Sequence, residues 1–247
     1  LMGIKVRIYT CRGFRFEHES GRIKNLLIFL EKVTSKCAHR VFCISKSVSD
    51  LGVNEGIFPQ KKVALLAKGS SNGVDLSLFD PQKVSRQSVQ EIKKQYNLEN
   101  KFIFVYVGRI VDRKGIQELY QSFDRVYKSN NYARLLIIGR PFWDQVSDKT
   151  LIDDYNTHPG IAMAGFQPFE RVPDFLACGD AFILPAWWEG FGNVLIQAAA
   201  MGLPVLSTNV TGCKDAVSNE YNGILIESKN VEQLEHTMNK FILGDYD

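Results

Sequence analysis

Residues 185–205 read PAWWEGFGNVLIQAAAMGLPV. The order of residue types gives a strand end, a glycine turn, a short helix, a stop and the next strand. Gly190 and Gly192 permit a tight turn with close backbone approach to a ligand. Asn193 suits a helix N-cap, Ala198 to Ala200 favour helix, and Gly202 with Pro204 ends it. A helix start behind a glycine turn leaves backbone N–H groups at the positive end of the helix dipole, which suits an anion. Glu189 enters at the turn, and Gln197 follows about two helical turns on. The same shape also serves as a βαβ corner whose glycines only permit packing. The stretch alone leaves both readings open.

Outward from it, the pattern is regular from residue 101. Apolar strands are expected at 101–108, 133–139, 161–165, 181–185, 204–208 and 223–226. Helices are expected at 115–128, near 147–156, and at 171–177, in the motif, near 212–217 and at 231–242. Alternating short apolar strands and helices predict a parallel sheet covered on both faces, a complete doubly wound α/β domain. Such sheets bind ligands at the carboxyl ends of their strands.

The second informative stretch is VYVGRIVDRKG, residues 105–115. A strand ends at Gly108, and Arg109 and Lys114 flank the loop that follows. Two cations at one strand end suit a leaving diphosphate, Arg by paired hydrogen bonds and Lys as a point charge. Solvated loop charges are the other reading. Glu189, beside the N–H groups of Phe191, Gly192 and Asn193, suits sugar hydroxyls, or merely complements the helix dipole.

The order of these stretches carries a resemblance. A Glu, the phrase Gly-Phe-Gly-Asn, and a motif position eight residues after the Glu resemble the nucleotide-sugar motif of the retaining GT-B glycosyltransferases of family 4. The family pattern has Glu at both ends; here the second is Gln197. The resemblance implies that Arg109 and Lys114 meet the donor diphosphate. It implies that Gly108 and Gly190, Phe191, Gly192, Asn193 and Val194 line the donor, with Glu189 on the sugar. Gln197 falls where the ribose is held; it keeps an acceptor but loses the charge-assisted bond. Gly139 with Arg140, and Gly165 with Phe166 and Gln167, look like the family's base-side wall, or are plain βα turns. Of Trp187 and Trp188, one is expected in the core and one near the sugar or acceptor.

The first 75 residues hold 13 Lys and Arg against 6 Asp and Glu, a net charge of +7, and the remainder is net −4. A basic first third suits an anionic partner such as phosphate or a membrane surface, or is a solvated basic face. Strands are expected at 4–10, 41–45 and 63–66. Residues 22–38 form an amphipathic helix with the apolar face Ile23, Leu26, Leu27, Leu30, Val33 and Cys37. Three strands are half of a Rossmann-like domain, so residues 1–77 read as the partial end of a first GT-B domain and 78–247 as the second. The chain opens in a strand-like run and reads as starting mid-protein. Residues 82–100 read as a polar stretch, and the phrase Ser71-Asn72-Gly73-Val74-Asp75 resembles the family's inter-domain linker. The loop YTCRGFRFE carries Arg12 where relatives often have His. Arg12 stays protonated and is no base; with Arg15 it suits an anionic acceptor phosphate, or the loop is only exposed surface.

Five scattered Cys without a CxxC pair suit a reducing cytosol, and no apolar run reaches the length of a membrane span. The four His show no ligand spacing, and no Asp-x-Asp metal motif stands at such a site. With the resemblance, the expectation is a cytoplasmic enzyme, at the inner membrane face. It transfers a hexose or N-acetylhexosamine from a nucleotide diphosphate sugar, UDP-linked, with retention and with neither cofactor nor metal required. The expected partners are that nucleotide sugar, a saccharide or undecaprenyl-diphosphate-linked acceptor in capsule or O-antigen synthesis, and an anionic membrane surface, but not nucleic acid. A GT-B epimerase and a noncatalytic nucleotide-sugar binding module are the alternatives. A Rossmann dehydrogenase is disfavoured because no GxGxxG follows a strand.

Overall fold

The computed structural model describes residues 3–70, 72–219 and 221–245, so Ser71 of the linker phrase lies outside the described residues. Two compact units form. The first comprises Leu1–Gly73, Trp188–Asn193 and Thr211–Ala216; the second comprises Val74–Trp187, Val194–Val210 and Val217–Asp247.

In the first unit β1 (Ile8–Cys11), α1 (Gly21–Cys37), β2 (Arg40–Cys43), α2 (Lys46–Asn54) and β3 (Val63–Leu65) build a parallel sheet of order β1-β2-β3. Strand β1 begins at Ile8, where pairing with Arg40 begins, so the expected strand at 4–10 is shorter and shifted. Phe14, Phe16 and Phe58 fill the core with Cys11, Val41, Cys43, Val48 and Ile57. Their rings pack 4.9 Å (Phe14–Phe16) and 5.6 Å (Phe14–Phe58) apart, within the range of favourable aromatic pairs. Helix α2 starts where Ser45 Oγ accepts from Val48 N at 3.2 Å. Helix α1 packs on this core through Leu27 and Ile28, while Ile23, Leu26, Phe29, Leu30 and Val33 face outward. The expected apolar face is therefore mostly the outer one. Apolar residues occur on two sides of this helix, and periodicity does not say which side meets the sheet.

The second unit begins with α3 (Arg86–Gln95), inside the stretch that reads as merely polar. Ser85 Oγ caps it by accepting from Ser88 N, and Ile92 is its buried residue. One buried side chain in ten residues leaves too thin a stripe to read. Then come β4 (Phe102–Val107), α4 (Ile116–Ser129), β5 (Ala133–Ile138), α5 (Leu151–Thr157), β6 (Ile161–Gly165), α6 (Val172–Leu176) and β7 (Ala181–Leu184). The chain continues with α7 (Asn193–Ala200), β8 (Val205–Thr208), α8 (Cys213–Ala216), β9 (Gly223–Ile226) and α9 (Val231–Leu243). The six strands at the expected positions are all parallel, in the order β6-β5-β4-β7-β8-β9.

Their sequences are continuous apolar runs because helices cover both faces: Ile103–Tyr106, Leu135–Ile138 and Ala181–Leu184 are buried without alternation. Helix α4 buries Ile116, Leu119, Phe123 and Val126, one stripe at helical spacing. Helix α9 packs beside it through Leu234, Met238 and Phe241. Asn230 caps its start, and Gly244, at φ 70°, ends it.

Candidate functional site

The strand order of the second unit reverses direction between β4 and β7, which makes the carboxyl ends of those two strands the topological switch point. The loop leaving β4 is Gly108 to Gly115. It is anchored by apolar residues: Ile110 and Val111 are buried. Ile110 N donates to Arg140 O at 3.2 Å, and Phe142 N donates to Ile110 O at 3.1 Å. Tyr106 is buried under the loop and donates its hydroxyl to Arg109 O at 2.7 Å. Gly115 starts α4 at φ 69°, and a Cβ there would overlap the carbonyl of Pro185 at the end of β7. Trp187 N donates to Arg113 O at 2.9 Å, so the β4 loop and the β7 exit are tied together.

This scaffold presents three cations, Arg109, Arg113 and Lys114. Sequence reasoning missed Arg113, whose place beside Arg109 depends on the loop's turn Asp112–Lys114. Burial holds the Arg113 guanidinium below its usual pKa, and the charge of Arg109 adds to that. The loop's one carboxylate, Asp112, is engaged elsewhere, accepting from Ser147 N at 2.9 Å and from the Ser147 hydroxyl. Two like charges are thus held near each other at this strand end.

Next to this loop, the ends of β5 and β6 form a ledge. Gly139 N donates to Gly165 O at 2.8 Å, and Gln167 Nε2 donates to Ala164 O at 2.7 Å. Phe166 is 66% exposed, with Arg140 over its ring at 5.4 Å. Arg109 lies over Phe142 at 5.8 Å. The unit thus brings Gly108, Arg109, Lys114, Gly139, Phe166 and Gln167 to the carboxyl ends of β4, β5 and β6. An exposed ring and bare backbone offer a flat surface to a planar group, with cations beside it. Trp187 is the fixed tryptophan: its Nε1 donates to the buried Glu118 at 3.0 Å, and Lys229 covers its ring at 3.9 Å. Val194 and Gln197 lie on α7, both half-buried.

The first unit holds the other part of the motif, Trp188–Asn193. Gly190 lies against the Arg12–Gly13 turn so closely that a Cβ would overlap Arg12 O. Arg12 and Arg15 are exposed beside that turn. Glu189 N donates to Thr211 O at 3.1 Å. Asn193 Oδ1 accepts from Ser70 Oγ at 2.8 Å. The loop 211–216 is latched in turn: Gly212 N donates to Ser47 Oγ at 2.8 Å, and the Ser47 hydroxyl donates to Asp215. The unit therefore brings Arg12, Glu189, Gly190, Phe191, Gly192 and Asn193 together on a backbone held from three sequence-distant segments.

Glu17 is a residue to which the sequence assigns no role. It is half-buried beside Thr211 and Lys214, and burial raises its carboxyl pKa; hydrogen bonds from Thr211 and the Phe14 N–H and the charge of Lys214 offset this only in part. The native state then keeps a proton that the unfolded chain has released. Stability should fall as pH rises from the ordinary carboxylate range through the raised native value. Glu17→Gln should remove that slope and be the more stable protein above the window, which urea melts at a series of pH values will show.

A family model described as "Glycosyl transferases group 1" matches residues 88–245. The chain is 32% identical over 240 residues to the capsular polysaccharide biosynthesis glycosyltransferase CapM of Staphylococcus aureus, covering 96% of this chain and 61% of that protein. It is 26% identical over 242 residues to the UDP-Gal:alpha-D-GlcNAc-diphosphoundecaprenol alpha-1,3-galactosyltransferase of Escherichia coli, covering 94% of this chain and 59% of that one. Among solved structures, Anabaena Alr3699/HepE in complex with UDP-glucose superposes with a TM-score of 0.79 at 19% identity, over 96% of this chain and 63% of its own. The chain spans about three fifths of the length of the curated relatives it matches. Two parallel sheets with these neighbours make the fold the GT-B α/β architecture expected from the sequence.

Proposed function

The chain belongs to the group 1 glycosyl transferases, and on that premise we propose that it serves retaining transfer of a hexose or N-acetylhexosamine from a UDP-linked sugar to a saccharide or undecaprenyl-diphosphate-linked acceptor in surface polysaccharide synthesis. The observation that carries this reading is the cation loop at the switch point, Arg109, Arg113 and Lys114 with Asp112 turned to Ser147. When the bond from the anomeric carbon to the diphosphate breaks, negative charge grows on the leaving oxygen. Fixed cations stabilise that charge without reorganising at the moment of reaction. The ledge of Gly139, Phe166 and Gln167 takes the base, Gln197 the ribose, and Glu189 the sugar hydroxyls. The charge is met by side chains, so neither a divalent metal nor a cofactor is required. Arg12 and Arg15 serve an acceptor phosphate. Support for the donor comes from the UDP-glucose complex of Alr3699/HepE, and for the acceptor from the diphosphoundecaprenol in the name of the Escherichia coli relative. A lipid-linked acceptor would set the reaction at the cytoplasmic face of the membrane.

The test is a screen of radiolabelled nucleotide sugars with the full-length protein and a membrane lipid extract, with and without EDTA. One UDP-linked donor should label the lipid fraction, and EDTA should change the rate by less than about twofold. Donor conversion without acceptor labelling would point to epimerisation instead. Loss of transfer in EDTA would overturn the metal-independent reading.

A further inference from the structure

The second unit buries a carboxylate, that of Glu118. It lies in the first turn of α4, where an acidic group complements the helix dipole, but such a group normally does so from the surface. Here the residue is 8% exposed. Its Oε1 accepts from Trp187 Nε1 at 3.0 Å, while Oε2 is buried with no hydrogen-bond partner among the described residues. The hydroxyls nearby are committed elsewhere: Tyr155 donates to Ile116 O at 2.5 Å, and Ser122 donates to the main-chain carbonyl of Glu118 at 2.8 Å. A leucine would fill this place at less cost to stability than a carboxylate left half-satisfied. A local rule broken in this way points to function.

The partner of that carboxylate is itself held from several directions. The edge of the Trp187 ring is on Glu118, and the Lys229 ammonium lies over its face at 3.9 Å. Lys229 reaches it from a left-handed backbone position, φ 64°, which residues other than glycine seldom adopt. The Trp187 main-chain N–H donates to Arg113 O at 2.9 Å. From Arg113 the chain runs through Gly115 into α4 and Glu118, crosses to the indole, and returns by the Trp187 N–H to Arg113. These links close a ring that contains the end of the turn Asp112–Lys114. A closed ring fixes direction as well as distance. Opened at Glu118, it lets the indole turn, and the Arg113 carbonyl follows.

We propose that Glu118 is a positioning residue for the diphosphate clamp, setting Arg113 and Lys114 through the indole of Trp187. The proposal rests on the reading of this loop as the one that takes the donor diphosphate, and adds the element that aims it.

The experiment measures UDP and uridine affinity by calorimetry, beside melting curves, on the full-length protein and its variants. Glu118→Leu and Trp187→Phe should each weaken UDP about tenfold, because a small misplacement of a positioned group is costly, and should leave uridine unchanged. Together they should weaken UDP no further than either alone, since both break the same bond. The double variant removes both polar groups, so it should melt no lower than wild type while keeping the loss of affinity. Glu118→Gln retains a carbonyl acceptor for the indole and should bind UDP within about twofold of wild type. Losses that multiply in the double variant, UDP affinity that returns with its midpoint, or Glu118→Gln as weak as Glu118→Leu overturns the proposal. So does unchanged UDP affinity in Glu118→Leu when wild type binds UDP. A wild type that binds no UDP counts against the proposed function instead. Amide exchange at Trp187 then still reports the tether: it should be faster in Glu118→Leu than in Glu118→Gln and wild type, and equal exchange in all three overturns the positioning role.

Discussion

Glu189→Ala in the full-length protein lowers transfer by about 10³-fold and leaves the thermal midpoint where it was. The two halves of this result have separate causes. The backbone at Glu189 is held through its own main chain: its N–H donates to Thr211 O, and Gly212 packs on its carbonyl. Loop 211–216 is itself latched by Ser47 and Asp215. Removing a half-exposed side chain from a turn fixed in this way creates little cavity and leaves these backbone contacts in place. A carboxylate placed for sugar hydroxyls gives charge-assisted hydrogen bonds, roughly twice as strong as neutral ones, and these can tighten as the anomeric centre gains positive character. Glu189→Gln keeps the shape and one acceptor and should fall between wild type and Ala. The readout is kcat/KM for the donor beside a melting curve. Unchanged turnover in Glu189→Ala would remove this residue from the site, and a lowered midpoint would make it a structural residue instead.

How far the sequence was legible follows from the range of the forces involved. The six strands of the second unit are read correctly because burial on both faces writes an unbroken apolar run, a local signal. Gly115, Gly139 and Gly190 mark where backbones touch, and the sequence shows the glycine but not the partner, which lies in another segment each time. Arg113 was hidden for the same reason: its nearness to Arg109 follows from the turn and from the Trp187 bond. Helix α3 was hidden because Ile92 is its one buried side chain. The apolar face of α1 was visible as periodicity, but the side that meets the sheet was not, since a stripe in sequence carries no label for sheet or solvent. Glu17 and Thr211 are nearly two hundred residues apart, and nothing in either neighbourhood announces the other.

The second large effect is on the diphosphate. Arg109→Ala and Lys114→Ala should each lower kcat/KM for the donor by about 10- to 100-fold, and the double variant by about 10³ or more, because hydrogen bonds to charged groups contribute about 1.5–3 kcal/mol each. Arg109 is exposed, and Lys114 half-buried, on a loop whose fixing elements are Ile110, Val111, the Tyr106 hydroxyl and Gly115, so the variants should fold. The pattern of inhibition then separates diphosphate binding from general weakening. UDP should lose affinity in both variants, while uridine, assigned above to the ledge of Gly139, Phe166 and Gln167 for its base and to Gln197 for its ribose, should bind as before. Arg109→Lys should recover little, since a point charge does not replace the two-pronged guanidinium. Arg113 sharpens the expectation. In wild type its charge is disfavoured by burial and by Arg109, a repulsion that an anionic ligand relieves. Removing Arg109 takes away both a ligand contact and that repulsion, so Arg109→Ala should cost less than Lys114→Ala. If both variants lose uridine and UDP alike, the loop shapes the base ledge and is not the diphosphate clamp; if neither loses UDP, the switch point is not where the donor binds.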